Sequence, residues 1–345
     1  MKPTTRLLYC RICKLLSLLV NLILLAGSLL AATEYKLTKQ MPIGGEGGWD
    51  YLSIDPAARR LYVTHATKII VIDLDNNSVV GEIADTPGVH GLAIAPELGR
   101  GFSSNGKENK MSVIDLKTLT TKTKVVTGEN PDAVLYEPAQ AEVYVFNGRG
   151  RSATVINAKS GEVTATIPLD GKPEFAAVDP RAARVFCNVE DKNEVVAIDT
   201  NRHAVVAKWP LAPGEAPTGM AIDLVHHRLF VACQKLLMML DSTNGQAVAT
   251  VPISSGVDAC AFDDATHLVF ASCGEGNTMI AKVDENKLNV VQTLQTQRGA
   301  RTMALDTITH RIYLATADFD PQIKDERGRP KIIDGTFRIL VYGTN

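Results

Sequence analysis

One block of sequence repeats along most of this chain, and it constrains the possible folds more than any other feature. The first copy reads YLSIDPAARRLYVTH…IIVIDLDNNSVVGEI and runs from Tyr51 to Ile83. The residue that closes the first apolar segment recurs every 40 to 44 positions, at Asp55, Ala95, Glu137, Asp179, Asp223, Asp263 and Asp306. Repeats of this length with four short strands each are typical of β-propellers. The sequence therefore predicts an all-β fold, a seven-bladed β-propeller of four-stranded blades.

Each copy has the composition of four strands joined by tight turns. In the first copy β-branched and aromatic residues predict strands at 50–55, 60–65, 68–73 and 78–83, with Asp-Pro and Asp-Asn-Asn in the turns. The Asp that ends each V-I-D segment is expected to accept hydrogen bonds from the turn that follows, which is a structural role. The copies begin near residues 50, 90, 132, 174, 218, 258 and 301.

The two ends of the repeat region predict how the ring closes. The last copy, residues 302–342, offers only three strands, and residues 34–43 resemble the missing fourth. The N-terminal strand is therefore predicted to complete the last blade, which removes two exposed sheet edges. A polar stretch at 317–336 interrupts the last copy, and segments this long are functional loops or disordered. It is expected to be a mobile lid, a partner contact or simply disordered.

The first 32 residues differ from the rest of the chain. Lys2, Arg6, Arg11 and Lys14 precede an apolar run from Leu15 to Leu30, and small residues follow. This order is typical of a secretory signal peptide. The alternative is an uncleaved membrane anchor, because the apolar run approaches a spanning length. The predicted organisation is a signal peptide at 1–32 and one propeller domain at 33–345, with a periplasmic or secreted location and no stable membrane span after cleavage.

The charge balance argues against a nucleic-acid partner. The whole chain has 36 Lys and Arg against 38 Asp and Glu, and removing the four basic leader residues takes the formal charge from −2 to −6. Nucleic-acid binding relies on clustered Lys and Arg, so no nucleic acid is expected as a partner. The partners left open are a small-molecule ligand or another protein on the top face of a monomer.

The repeat motifs resemble a known family. Arg60-Leu-Tyr-Val-Thr and Arg228-Leu-Phe-Val-Ala, with V-I-D-L at 71–74 and 113–116, are similar to the YVTN-type repeats of the YncE-like family. The resemblance runs from about Thr33 to Asn345. It implies the propeller fold, used as a binding surface, a surface-layer module or an enzyme scaffold, and it implies no single activity.

The residue at the start of each innermost strand gives the clearest functional signal. Equivalent residues of the innermost strands converge on one mouth of the central channel. Counting five residues back from each first-strand marker gives Asp50, His90, Asp132, Glu174, Thr218, Asp258 and Arg301. Six of these seven are ionisable, which predicts a charged ligand-binding ring. The alternative is that these side chains only solvate a water-filled mouth and pair with one another.

The composition of this ring allows two functions. Carboxylates favour hard cations such as calcium, and an imidazole adds tolerance for zinc or manganese. A divalent cation is therefore a possible cofactor, with Asp132, Glu174, Asp258 and His90 as candidate ligands. The first hypothesis is a binding or interaction protein that holds a ligand or metal at the mouth. The alternative is a metal-dependent, lactonase-like hydrolase with His90 or Asp50 as base. Catalytic residues stay unknown, and whether the protein is an enzyme stays open.

A second tier of candidates ends the second strand of each copy. His65 occupies this position in the first copy and could join His90 as a ligand or base, although a lone exposed His is more often incidental. Trp49, beside Asp50, could stack on a ligand or pack at the channel mouth.

Overall fold

The structure is a computed structural model that describes residues 34–326 and 328–344. The predicted signal peptide at 1–32 lies outside these residues. Within them, no helix has the length and apolar character needed to cross a bilayer. The helical content of this part of the chain consists of two short 3₁₀ turns, Pro96–Leu98 and Glu190–Lys192.

Thirty strands make up the described part of the chain, and 28 of them form seven four-stranded antiparallel sheets. Blade 1 contains β2 (Trp49–Asp55), β3 (Arg60–His65), β4 (Lys68–Asp73) and β5 (Ser78–Ile83). Blade 2 contains β6 (Val89–Ala95), β7 (Arg100–Asn105), β8 (Lys110–Asp115) and β9 (Thr120–Val126). Blade 3 contains β10 (Pro131–Glu137), β11 (Glu142–Asn147), β12 (Ser152–Asn157) and β13 (Val163–Pro168). Blade 4 contains β14 (Pro173–Asp179), β15 (Arg184–Val189), β16 (Glu194–Asp199) and β17 (Ala204–Pro210).

The remaining blades follow the same plan. Blade 5 contains β18 (Met220–Asp223), β19 (Arg228–Cys233), β20 (Leu236–Asp241) and β21 (Ala247–Pro252). Blade 6 contains β22 (Val257–Asp263), β23 (Leu268–Cys273), β24 (Asn277–Asp284) and β25 (Lys287–Gln295). Blade 7 contains β26 (Met303–Asp306), β27 (Arg311–Thr316), β30 (Arg338–Gly343) and, from the other end of the chain, β1 (Lys36–Pro42). The remaining pair is β28 (Phe319–Lys324) and β29 (Pro330–Ile332).

The innermost strands form a closed ring. Each of β2, β6, β10, β14, β18, β22 and β26 contacts the innermost strand of the next blade, and β26 contacts β2. The blades pack face to face through apolar cores. The core between blades 7 and 1, for example, contains Leu61, Val63, Tyr313 and Ile339, all fully buried. The predicted all-β, seven-bladed propeller is therefore confirmed.

The V-I-D carboxylates have the structural role that the repeat indicates. In five blades the residue at this position accepts hydrogen bonds from backbone N–H groups that follow it. Asp73, Asp115, Asn157 and Asp199 accept from the N–H groups two and three residues later, and Asp241 accepts from the N–H group two residues later. These bonds satisfy the donors of the tight turn between the third and fourth strands. None of these residues lines the mouth of the ring in the described part of the chain.

The last blade combines both ends of the described chain. β1 pairs antiparallel with β30, with Lys36 opposite Gly343 and Pro42 opposite Arg338. An ion pair at the turn between β2 and β3 links blade 1 to blade 7. There the Arg59 guanidinium donates two hydrogen bonds of 2.9 Å to the fully buried carboxylate of Asp306. The β1–β30 ladder therefore completes blade 7, and the Arg59–Asp306 ion pair joins blade 7 to blade 1.

The polar stretch at 317–336 forms a β-hairpin instead of an irregular loop. β28 pairs with β29, with Phe319 opposite Ile332. The turn between them is closed because Arg329 N donates to the Asp325 carboxylate at 2.8 Å and Asp325 N donates to the Arg329 carbonyl at 2.7 Å. The base of the hairpin is attached to the ring through Asp318, whose carboxylate accepts from Gln297 at 3.0 Å and pairs with Arg338.

Candidate functional site

Bulges in the innermost strands aim the ring side chains into the mouth. In β2, Trp49 pairs with His65 and the next regular pair is Leu52 with Val63, so β2 has one residue more than β3 over this interval. The ladder shifts in the same place in β6, β10, β14 and β22. The bulged segments contain Asp50, His90, Asp132, Glu174 and Asp258. A bulge redirects side chains away from the alternation of the strand, and here it does so at five of the seven predicted positions.

Hydroxyl side chains on the second strands support two of these bulges. Asp50 N donates to Thr64 Oγ1 at 3.1 Å, and that hydroxyl donates to the Tyr51 carbonyl at 3.0 Å. In blade 2, Gly91 N donates to Ser104 Oγ at 3.0 Å, and Ser104 donates to the Asp132 carbonyl of the next blade. A bulge leaves backbone groups without ladder partners. Thr64 and Ser104 supply those partners and fix the direction of the neighbouring ring residues.

The ring residues meet in one cavity at the mouth of the propeller, with a volume of about 980 Å³. All seven predicted positions line it: Asp50, His90, Asp132, Glu174, Thr218, Asp258 and Arg301. Glu190, in the loop after the second strand of blade 4, lines it as well. Sequence analysis missed other lining residues, notably Tyr51 and Lys172 on the ring side and Arg298, Phe319, Arg329 and Lys331 towards the hairpin.

His90 is the centre of the tightest group in the cavity. Its Nδ1 lies 2.6 Å from Asp50 Oδ2 and 3.6 Å from Asp132 Oδ1. Burial alone would lower the pKa of His90, but the hydrogen bond to Asp50 and the charge of Asp132 raise it to about 9. The imidazole is therefore a cation at neutral pH. Asp50, His90 and Asp132 also form a group that could hold a metal ion. Among the described residues, this is the one set of three or more His, Cys, Asp or Glu side chains whose potential ligand atoms all lie within 4.8 Å of one another.

Two further carboxylates of the ring are paired with basic groups. Asp258 Oδ2 lies 3.1 Å from Arg301 Nη1. Glu174 Oε1 and Glu190 Oε2 each lie 2.5 Å from Lys172 Nζ. Of the four predicted metal ligands, Glu174 and Asp258 thus already share their charge with Lys172 and Arg301, while His90 and Asp132 lie together with Asp50.

Burial and mutual repulsion shift the pKa of the carboxyl groups upward. Burial raises the pKa of Asp132 to about 6, although His90 acts against this shift. Burial and then the charge of Asp132 raise the pKa of Glu174 to about 8. Burial also raises the pKa of Asp258 to about 7, although Arg301 opposes it. These carboxyl groups therefore keep part of their protons near neutral pH.

Thr218 and His65 differ from the other predicted residues. The Thr218 hydroxyl donates to the Val257 carbonyl at 2.9 Å, so it links blades 5 and 6 although it borders the cavity. His65 lies outside the cavity lining and is 2% exposed. Its ring stacks on Phe337 with 4.3 Å between centroids, and burial lowers its pKa. The structure does not bring His65 to the other ring residues.

The hairpin and the first blade form an aromatic wall beside the ring. The Trp49 ring lies 5.2 Å from that of Phe337 and 6.2 Å from that of Phe319 on the hairpin. Trp49 and Phe319 line the cavity together with Ile332. The charged residues Asp325, Arg329, Lys331 and Asp334 also reach the cavity from this segment. The hairpin thus forms one side of the mouth.

Comparison with known proteins agrees with the repeat motifs. Over 148 residues the chain is 26% identical to the uncharacterized protein YncE of Salmonella typhi, and equally so to YncE of Salmonella typhimurium. The alignment covers 41% of this chain and 42% of each YncE chain. Together with the seven-bladed ring, this partial similarity supports a YncE-like propeller protein. No family model matches the chain.

Solved structures share the fold of this YncE-like chain at low sequence identity. The hydrazine synthase of Kuenenia stuttgartiensis matches with a TM-score of 0.70 and 14% identity, over 89% of this chain and 99% of the other. A chain of the mitotic checkpoint complex matches with a TM-score of 0.75 and 10% identity, over 91% and 93% respectively. At these identities the likeness supports the fold alone.

Proposed function

We propose that this YncE-like chain is a periplasmic or secreted binding propeller whose mouth cavity holds a positively charged ligand, a metal ion or a small cationic molecule. One observation carries the proposal. On the ring side of the cavity five carboxylates face three basic groups. The carboxylates are Asp50, Asp132, Glu174, Glu190 and Asp258, and the basic groups are His90, Lys172 and Arg301. A cation would neutralise the excess charge.

The raised pKa values give the proposal a pH dependence. With pKa values of about 6, 8 and 7 for Asp132, Glu174 and Asp258, these groups retain protons near neutral pH. A bound cation favours the ionised carboxylates, so binding releases protons. The affinity for a cation is therefore expected to rise as the pH increases from about 6 to about 8, and to rise further as His90 loses its proton near 9.

Calorimetric titration tests this proposal. Calcium, manganese and methylammonium ions are titrated at pH 6, 7.5 and 9 in buffers that differ in heat of ionisation. We expect saturable binding of at least one ion, proton release on binding, and weaker binding by Asp132→Asn. Asp284→Asn, an exposed carboxylate at the end of β24, is the matched control. If none of these ions binds at any pH, or if both variants bind equally well, the proposal is refuted.

A metal-dependent hydrolase is the second candidate, and the group of Asp50, His90 and Asp132 favours it. With His90 deprotonated, these three residues would hold a divalent cation, which would supply Lewis-acid polarisation of a substrate carbonyl. Glu174 and Asp258, paired with Lys172 and Arg301, would orient a substrate instead. Lactone hydrolysis that requires added manganese or calcium and disappears in Asp132→Asn would favour this candidate. Metal binding without any such turnover would reject it.

The proposed location rests on the composition of residues 1–32. A charged start, an apolar run and small residues at 31–32 are the features of an exported leader. Mass spectrometry of the protein from a periplasmic or extracellular fraction should give a chain that begins close to Thr33. A chain that retains Met1 and sediments with membranes would instead support an uncleaved anchor.

A further inference from the structure

The cavity has two chemically different sides. Blade 7 and the hairpin supply Arg298, Phe319 and Ile332, and Trp49 of blade 1 joins them. A Cβ atom built on Gly299, next to Arg298, would lie 2.6 Å from the Phe319 ring, so the backbone at Arg298 runs beside the aromatic wall. Blades 3 and 4 lie across the axis from blade 7 because the blades follow one another around the ring. These blades supply Asp132, Glu174 and Glu190.

The basic groups near the hairpin outnumber the acids there. Arg298, Arg329 and Lys331 face the cavity with Asp325 and Asp334, and the Arg329 guanidinium pairs with Asp325 at 3.0 Å. No ion pair to Arg298 or Lys331 is found within residues 34–326 and 328–344. The cavity is thus positive near the hairpin and negative on the opposite side, with an apolar wall along the positive side.

Tyr51 provides independent evidence that a ligand belongs here. Its side chain is 7% exposed and lines the cavity, and its ring packs edge-on against Phe175 at 5.1 Å. Within the described part of the chain its hydroxyl has no hydrogen-bond partner. Burial and the nearby carboxylates Asp132, Glu174 and Asp50 raise its pKa well above the usual value, so it stays a neutral phenol. A ligand in the cavity with a polar group at this depth would give this hydroxyl a hydrogen-bond partner.

A metal ion alone fits this cavity poorly. Calcium takes six to eight oxygen ligands at 2.3–2.6 Å, whereas the compact group in the described residues offers three ligand atoms, and one of them belongs to His90. The volume of about 980 Å³ is the size of a site for an organic ligand. An ammonium group needs only hydrogen-bond acceptors and negative charge, which Asp132, Glu174 and Glu190 supply.

We propose that the ligand is a small amphipathic zwitterion, with an ammonium group towards Asp132 and Glu174, an acidic group towards Arg298, and an apolar body against Trp49 and Phe319. Aromatic or aliphatic amino acids have this chemistry. The inference rests on the proposed function, since it names the class of the cationic ligand. The Tyr51 hydroxyl accepts a hydrogen bond from the ammonium group. Arg298 selects the zwitterion over a simple amine.

Four probes separate the parts of such a ligand: L-phenylalanine, phenethylamine, 3-phenylpropanoate and glycine. Phenethylamine lacks the acidic group, 3-phenylpropanoate lacks the ammonium group, and glycine lacks the apolar body. Calorimetry at pH 7.5 should give the tightest binding for phenylalanine, with each truncation weakening it by about tenfold. Tight binding of 3-phenylpropanoate, equal to that of phenylalanine, would overturn the proposal.

Variants assign each part of the ligand to its residue. Arg298→Gln should remove the preference for phenylalanine over phenethylamine by weakening phenylalanine, and it should not weaken phenethylamine, because the guanidinium repels an ammonium group. Tyr51→Phe should weaken both amines by about five- to tenfold, and Phe319→Ala should weaken phenylalanine but not glycine. Tyr62→Phe, in the core of blade 1, and Ile323→Ala, exposed on β28, are the matched controls. An Arg298→Gln variant that keeps the full preference would also overturn the assignment.

Failure of this inference can be told apart from failure of the proposed function. If calcium, manganese or methylammonium binds and none of the four probes does, the zwitterion is wrong and the cationic site stands. If neither set binds, both proposals fall. Circular dichroism of each variant shows whether a loss of binding reflects a loss of folding, and a variant that unfolds is replaced by Phe319→Leu or Tyr51→Met at the same position.

Discussion

Replacing Asp50 with asparagine isolates the effect of one carboxylate on the charge of His90. The pKa of His90 is about 9 against an ordinary value of 6.5, and the hydrogen bond to Asp50 is the largest of the interactions that raise it. One pKa unit corresponds to about 1.4 kcal/mol, so the whole shift represents about 3 kcal/mol of preference for the imidazolium. Asp132 retains part of that preference. The variant is therefore expected to lower the pKa of His90 by about one to two units.

The same change makes the free energy of unfolding depend on pH in a defined direction. A group whose pKa is higher in the folded protein contributes stability that is fully present below its unfolded value, here 6.5. That stability disappears as the pH rises through about 9. Asp50→Asn should therefore reduce the free energy of unfolding by about 1–3 kcal/mol at pH 6 and by much less at pH 10.

Two measurements check this expectation. Heteronuclear NMR follows the His90 ring nitrogens through a pH titration in the parent and in Asp50→Asn, and urea unfolding at pH 6 and pH 10 gives the stabilities. Asp284→Asn controls for the loss of one negative charge far from the cavity. A parent His90 that titrates at or below 6.5, or a loss of stability that is the same at both pH values, would contradict the reasoning.

Two further predictions concern the scaffold. Arg59→Met leaves the buried Asp306 carboxylate unpaired and should cost about 3–5 kcal/mol in urea unfolding, whereas Arg60→Met, which breaks the more exposed pair with Asp73, should cost about 1 kcal/mol or less; equal losses would show that burial does not decide the difference. Thr64→Val removes the hydroxyl that supports the β2 bulge and should cost about 1–2 kcal/mol, and Thr64→Ser should restore most of it. A stable Thr64→Val variant with unchanged cavity binding would argue against that supporting role.

The ring positions were predictable because a propeller places equivalent residues of equivalent strands around one axis. The repeat fixes the strand starts, so Asp132 and Asp258 could be expected near each other although 126 positions separate them. The repeat also placed His65 near the mouth, but its side chain is buried and stacks on Phe337 instead of lining the cavity. The direction of a side chain at a strand end depends on local pairing, which the repeat does not encode.

The bulges and the hairpin could not be read from the repeat. A bulge depends on register between two strands, so the repeat places Asp50 at the mouth but does not reveal that Tyr51 would line the cavity as well. Tyr51 has the pattern of a core aromatic residue, and Lys172 that of a turn residue before a strand. The hairpin strands are short and polar, so their pairing depends on the Asp325–Arg329 turn and on attachment to the ring through Asp318.

β1 can pair with β30 only after nearly the whole chain has been synthesised. The partners Thr38 and Val341 are 303 positions apart. At 5–20 residues per second the ribosome needs roughly 15 to 60 s to complete β30 after β1 has emerged. Throughout that interval β1 has no native partner and six blades can form without it. The cell therefore has to keep one edge-forming strand from pairing with other chains until the last strand arrives.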